Sequence, residues 1–288
     1  MANKINELAV VKNEIQYAPS AQELHDIREE MQDMDRFPYG RIQIAAAGAG
    51  VFKVTDPGEE EAVVAMNIQG VILFSHKANG LWAGEFGKGD DKAPVCASLD
   101  GEEGHNTETG ELIACEPCPY NQFGSGRGGR GKACKNMRRL YILREGDIFP
   151  MIMTLPPTAL QAYDKYRTKV MLGRKKMYSV ITRVTLKTAQ NKDGIDYSVP
   201  VFEAVAILPP GEAERVKQYA DTFSGAAQNF GISGDDYATA EQPTGEYTQP
   251  SAAAPEDVPV EGAFEPIGDE ELPFAELPSE KKSRRAGA

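Results

Sequence analysis

All four cysteines of this chain lie between Cys96 and Cys134, and two of them form the tight pair Cys115-Glu-Pro-Cys118. A C-x-x-C turn with one further cysteine upstream and one downstream supplies four thiolates, the set that a tetrahedral structural Zn²⁺ takes. On that reading any fold of this chain must bring Cys96, Cys115, Cys118 and Cys134 to one place. The segment from Cys118 to Cys134 carries PYNQFGSGRGGRGKA, cationic and rich in glycine. A metal would therefore pin the base of a basic, flexible finger, which suits binding better than catalysis.

Two other uses of the cysteines compete. Disulfides need an oxidising compartment, and the opening MANKINELAVVKNEI has no apolar core of signal-peptide length. A redox pair sits at a helix start in a strand–helix–strand unit, whereas Pro117 and Pro119 flank Cys118 in a loop. The outer spacings are irregular, so His105 can stand in for Cys96 as a ligand. Glu102, Glu103 and Glu108 beside it also fit a plain solvated loop.

The net charge of -12 conceals a strong segregation. From Tyr120 to Gln190 there are fifteen Lys and Arg against three acids (Glu145, Asp147, Asp164), a net +12. From Gly231 to Ala288 there are thirteen acids against four bases (Lys281, Lys282, Arg284, Arg285), a net -9. A basic middle with an acidic tail points to a polyanion-binding domain and a tail able to compete for the same surface. No apolar run approaches the ~20 residues of a membrane span, so a cytoplasmic protein with no membrane partner is expected.

Three regions follow. Residues 1–36 are polar and read as a peripheral helical extension, with Ser20-Ala-Gln-Glu23 as a capping box for a short helix to about Asp35. Residues 37–230 form the core domain, with the cysteine-bearing insertion at about 90–136. Arg41 to Val54, Ala62 to His76, Arg139 to Leu143 and Phe149 to Leu155 read as strands, the first two separated by the turn Asp56-Pro57-Gly58. Asn79 to Pro94 reads as loop. Pro156-Pro157 opens a helix that stops at Gly173. Met177 to Thr188 alternates, with Val180, Thr182, Val184 and Leu186 on one face, and Asn191-Lys-Asp-Gly194 joins it to Asp196–Leu208 as a hairpin. Pro210-Gly211 starts a last helix to about Asn229. Residues 231–288, rich in Pro, Ala, Glu and Gly, cannot bury enough surface to order themselves and are expected to be disordered.

Without the insertion, the order strand, strand, strand, helix, strand, strand is that of an OB-fold. The fold class expected is thus mainly β (α+β), an OB-fold-like barrel with a zinc-ribbon-like insertion. A mixed α+β sandwich is the alternative.

Single-stranded nucleic acid is held by cations that follow the phosphates and aromatics that stack on bases. Tyr120, Phe123, Arg127, Arg130, Lys132, Lys135, Arg138, Arg139 and Tyr141 interleave the two kinds. Trp82, Phe86 and Phe149 are further stacking candidates, with rim or core packing as their plain alternative. Tyr163 and Tyr166 fit the buried face of the helix better. Gly126 to Lys132 matches G-x-x-x-x-G-K, but Ala133 follows where a phosphate-binding loop needs Ser or Thr. The three histidines are scattered and no hydrolase motif is present, so no enzyme is expected.

The run Asp269-Glu-Glu-Leu-Pro-Phe274 resembles the acidic tip of bacterial single-stranded-DNA-binding proteins. That resemblance implies partner recruitment, with Asp269, Glu270 and Glu271 as the acids, Leu272 as the apolar residue, and Pro273 and Phe274 as the anchor. Fourteen residues follow Phe274, so no terminal carboxylate sits on it. CPYNQFGSGRGGRGKACKNMRRLYIL and the overall layout resemble phage-encoded single-stranded-DNA-binding proteins, in which an OB-fold carries a zinc-binding insertion and an acidic tail follows. The resemblance implies cooperative coating of single strands in the host cytoplasm and contacts with replication or recombination proteins; a homo-oligomer is one further partner the chain could have, and the sequence does not fix its oligomeric state. The expected function is sequence-tolerant binding of single-stranded DNA. The alternative is a zinc-ribbon adaptor or regulator of a host nucleic-acid enzyme.

Overall fold

Where the sequence reads as one strand from Arg41 to Val54, the chain turns back at Gly48 and Gly50. Both have positive φ, a region that residues with a Cβ rarely enter. They separate Arg41–Ile44 (β1) from Phe52–Thr55 (β2), which pair as an antiparallel hairpin. In this computed structural model, residues 5, 8–11, 16–31, 39–45, 48–83, 93–191, 194–227 and 232 are described. Phe86 and the tail residues Asp269, Glu270, Glu271, Leu272, Pro273 and Phe274 lie outside them.

Before β1, Ala21–Met31 forms helix α1. Its capping box is made as the sequence indicates: the Glu23 N–H donates to Ser20 Oγ at 3.2 Å, and the Ser20 N–H donates to Glu23 Oε2 at 2.7 Å. After β2 come Val63–Ala65 (β3) and the fifteen-residue strand Asn67–Leu81 (β4). Three short strands carry the first part of the cysteine module: Cys96–Ser98 (β5), Glu103–Asn106 (β6) and Leu112–Ala114 (β7). Lys135–Leu143 (β8) and Met151–Leu155 (β9) precede Leu160–Leu172 (α2), which Gly173 caps. Val180–Gln190 (β10), Asp196–Ile207 (β11) and Pro210–Ala227 (α3) complete the elements.

The protein is a mixed α+β structure, mostly β, with one eleven-stranded sheet in the order β3-β2-β1-β9-β8-β4-β5-β6-β7. β10 joins along the first part of β4, and β11 lies outside β10. Pairing is antiparallel except between β1 and β9. Among the described residues the sheet stays open and does not close as a small barrel would. The cause is β4, long enough to pair with β8 along most of its length, β10 at its start and β5 at its end. The β10–β11 hairpin therefore extends the sheet from β4 and does not return to seal it.

β9 is buried at every position, as a continuous apolar run between β1 and β8 requires. One face of the sheet packs Ile42, Ile72, Leu140, Ile142 and Met153 against Tyr163, Tyr166 and Val170 of α2. The other packs Val71, Leu73, Tyr141 and Leu143 against Val216, Tyr219, Ala220 and Phe223 of α3. Each large side chain so buried contributes about 1.5–3 kcal/mol. Val180, Thr182 and Val184 share the α2 face, and the Thr182 hydroxyl meets Tyr166 Oη at 2.7 Å.

The described residues of the N-terminal segment are not all peripheral. Ile5 is buried in the α2-side core, Tyr17 and Ala18 in the α3-side core. Val10 bridges Ile207 in parallel, and Glu212, 3 % exposed, accepts the Tyr17 and Ala18 N–H groups at 2.7 and 3.0 Å. A few apolar anchors and one carboxylate on α3 bind a segment whose average composition is polar.

Candidate metal centre and nucleic-acid interface

The β5–β6–β7 ribbon and the start of β8 bring the four cysteines together. Cys96 opens β5, Cys115 and Cys118 follow β7, and Cys134 immediately precedes β8. Gly104 in β6 is the floor of the cluster: a Cβ there would stand 2.9 Å from Cys96 Sγ and 3.6 Å from Cys115 Sγ. Only glycine leaves that room. His105, next along β6, points to the opposite face by strand alternation and is exposed.

Burial pushes the Cys134 thiol up to about 12, with Cys115, Cys96 and Cys118 adding to the rise. Burial likewise raises Cys96, with contributions from Cys115 and Cys118. Cys96 and Cys134 thus stand in the field of the other thiols, and none of the four bonds to another as a disulfide. Among the described residues, no three Cys, His, Asp or Glu side chains are drawn in to the spacing of a coordinated ion. The donor chemistry nevertheless suits a soft divalent metal: four sulfurs, two of them buried, gathered over a glycine, and a cation would offset the penalty on ionising Cys96 and Cys134. The residues able to hold it are Cys96, Cys115, Cys118 and Cys134.

The backbone around the C-x-x-C turn is braced by side-chain amides. Asn121 Nδ2 donates to the Cys115 carbonyl at 2.7 Å, and Gln122 Nε2 donates to the carbonyls of Glu116 and Cys118 at 2.7 and 3.3 Å. The Cys134 N–H donates to the Tyr120 carbonyl at 2.8 Å, closing the following loop at its base. That loop is a hydrogen-bonded turn and not a loose finger. Gly124 N–H donates to the Gly131 carbonyl at 2.8 Å, and Ser125 Oγ lies 2.6 Å from the Gln122 carbonyl while accepting the Ala133 N–H at 3.0 Å. Gly124, Gly128, Gly129 and Gly131 all have positive φ, which explains the glycine-rich composition.

The ten side chains expected to hold nucleic acid divide. Phe123 is 86 % exposed and Tyr120 55 %, and Lys132 Nζ stands 5.5 Å over the Phe123 ring. Arg127 and Arg130 are exposed, while Lys132, Lys135 and Arg138 are half-buried. Arg139 is 0 % exposed, as is Tyr141, which stacks on Phe74 at 4.4 Å and meets His76 Nε2 through its hydroxyl at 3.1 Å. Trp82 folds over Gly80 and packs with Ala78, Met137, Ala97 and Leu99. Arg139 and Tyr141 therefore belong to the interior and offer no face to a strand, while Trp82 is half-buried. Phe149 packs edge-on against Tyr39, their ring centroids 6.5 Å apart.

Strand parity explains the division. Met137, Arg139, Tyr141 and Leu143 point to the α3 side of β8, whereas Asn136, Arg138, Leu140 and Ile142 point to the α2 side. Arg138 and Arg139 are neighbours in sequence and on opposite sides of the sheet.

On the α2 side, two groups of contacts lie in succession on one face of β8, the first at the loop and the second at the helix. Lys132 Nζ donates to Asn121 Oδ1 at 3.1 Å, and Asn136 Nδ2 donates to the same oxygen at 3.0 Å and to Asn79 Oδ1 at 2.9 Å. Two residues on from Asn136, the Arg138 guanidinium lies 5.9 Å from the centre of the Tyr163 ring, and that of Arg167 lies 5.8 Å from it. The succession Phe123–Lys132–Asn121–Asn136–Arg138–Tyr163–Arg167 runs from the C-x-x-C turn along the sheet to α2. Its asparagines and Arg167 carry no motif, and only the pairing of β4 with β8 and the packing of α2 reveal them. Residues 119–139 hold six cations and no acid, whereas 93–118 hold six acids and no Lys or Arg.

No helix among the described residues is long and apolar enough to cross a membrane. No protein-family model matches the chain, and the curated proteins and solved structures give no match to it.

Proposed function

We propose that this protein binds single-stranded DNA with little regard to sequence, in DNA replication or recombination, and that Zn²⁺ held by Cys96, Cys115, Cys118 and Cys134 supports the binding surface. The observation that carries the reading is the succession of cations and aromatics on one side of the sheet, Phe123 with Lys132 at the loop and Arg138 with Tyr163 and Arg167 at α2, with no acid in the sequence from Pro119 to Arg139. Tyr120 and Phe123 offer stacking faces worth about 1–3 kcal/mol per base. Arg127, Arg130, Lys132 and Arg138 meet phosphate without reading bases, which makes binding tolerant of sequence. The metal's contribution is structural: it would hold the turn whose Cys115 carbonyl Asn121 grips, and Asn121 also grips Lys132. No catalytic role is proposed.

The finer architecture belongs to the same proposal, an OB-like core with a ribbon-like zinc insertion. Its support is α2 lying between β9 and β10, with the cysteine ribbon leaving from β4 and returning through β8. The resemblance of the tail to acidic recruiting tips supports Asp269 to Phe274 as the site for replication or recombination partners.

The test is fluorescence anisotropy of a labelled oligothymidine of about thirty nucleotides against an equal duplex, with zinc measured on the same sample. Tight, salt-sensitive preference for the single strand, with one zinc per chain lost to a strong chelator together with affinity, is the expected result. Equal binding of both forms refutes the single-strand reading. The alternative, a protein-binding adaptor, draws on the acidic ribbon, whose last strand β7 ends the sheet with Leu112 60 % exposed between Glu111 and Glu116. Zinc without DNA binding would favour it.

A further inference from the structure

Lys77 of β4 lies directly opposite Arg138 of β8 in the sheet register. Directly opposed residues of one face have Cβ atoms about 4.5–5.5 Å apart, and like charges there repel. Among the described residues neither side chain is paired with a carboxylate, and the turn at Gly101 packs against the Lys77 stem, where a Cβ would meet Lys77 Cδ at 2.9 Å. A third cation joins them: Arg138 and Arg167 share the Tyr163 ring at 5.9 and 5.8 Å. Asp164, 3.8 Å from Arg167 and well exposed, makes a pairing of little strength with it, and Asp100 and Glu102 flank the Gly101 turn. Ser75, two residues before Lys77 on the same face of β4, accepts the Tyr163 hydroxyl at 3.1 Å, which leaves its own proton to donate. Of the three cations only Arg167 is paired with a carboxylate among the described residues, and that carboxylate is exposed.

We propose that Lys77, Arg138, Arg167 and Ser75 form a phosphate-binding site on the platform of Tyr163. Two guanidinium groups suit the planar, paired recognition of phosphate oxygens, and the anion relieves the repulsion between Lys77 and Arg138. Resting on the function proposed above, the site receives a backbone phosphate of the strand after it leaves the Gly-rich loop. It extends the footprint to β4 and α2, where neither Lys77 nor Arg167 belongs to the cysteine module. The same chemistry accepts a free polyphosphate, so the test separates the two sources.

The experiment compares the full chain with Lys77→Gln and with Lys77→Gln/Arg167→Gln, both at solvent-facing side chains, after melting curves establish folding. Oligothymidine affinity is measured across a salt series, and tripolyphosphate binding by calorimetry. The double variant is expected to bind oligothymidine about tenfold more weakly and to lose about one unit of the slope of log affinity against log salt. Phe123→Ala, which removes a stacking face, is expected to lower affinity while leaving that slope unchanged. Tripolyphosphate should bind the native chain and fail to bind the double variant. An unchanged salt slope with unchanged tripolyphosphate binding overturns the site. Loss of tripolyphosphate binding with full DNA binding keeps the site and overturns its place on the strand. If the native chain binds tripolyphosphate but no oligothymidine, the DNA reading fails while the site stands; if it binds neither, both fail.

Discussion

Gly104 is the residue on which the cysteine cluster depends most directly. A methyl group there would stand 2.9 Å from Cys96 Sγ, inside any normal contact, so the thiol must move. Gly104→Ala is expected to lower the zinc proposed for this cluster well below one per chain, read by atomic emission, while the melting of the main sheet changes little. A variant that keeps its zinc would show that Cys96 can shift freely. His76 makes a prediction of another kind. Burial holds its imidazole below the ordinary 6.5, and the nearby Arg139 and Arg138 charges act the same way, against a hydrogen bond to the Lys77 carbonyl. Between the lowered and ordinary values the unfolded chain binds a proton that the folded one refuses, so stability falls as pH drops below about 6.5 and is unaffected above it. The melting temperature of the native chain should fall more between about pH 8 and about pH 5 than that of His76→Gln; equal falls would show an ordinary imidazole. At this scale the sequence revealed the four sulfurs and the exposed loop cations. It could not separate Arg138 from Arg139, because adjacent strand residues differ only in which side of a sheet they face.

At the scale of elements, helix signals were the most legible. Ser20 and Glu23 cap α1, Pro157 and Gly173 bound the helical stretch around α2, and Asn191 and Gly194 close the β10–β11 hairpin. These are local devices, and a few neighbouring residues suffice to write them. The expected strand from 41 to 54 failed because two glycines break it, while β4 ran past the expected loop boundary at Asn79 to Leu81. The N-terminal segment was misread as peripheral because its anchor is remote: Glu212 lies 195 residues from Tyr17. Replacing Glu212 with Ala leaves two buried N–H groups unsatisfied, and hydrogen bonds to a charged group are worth about 1.5–3 kcal/mol each. Glu212→Ala is therefore expected to lower the melting temperature and to speed proteolysis within the first twenty residues. Unchanged protection of that segment would show that Ile5 and Tyr17 hold it by packing alone.

For the molecule as a whole, charge is distributed so that two parts of one chain can compete. Residues 231–288 carry a net -9 and the middle from Tyr120 to Gln190 a net +12. Truncation after residue 230 should tighten oligothymidine binding, with the gain largest at low salt, where unscreened charges interact most strongly. Equal affinity of the two chains would mean that the tail does not reach the surface. Composition alone decided this polarity and the cysteine set, because both are sums over residues and need no geometry. Periodicity and turn residues decided most helices and hairpins, because the energies involved act over a few positions. Only the tertiary structure decided that the sheet stays open around β4, that Arg139 and Tyr141 turn inward, and that Arg138, opposite Lys77, meets Arg167 at Tyr163. Those outcomes depend on strand register and on which face each helix covers, long-range pairings set by the packing of the whole core.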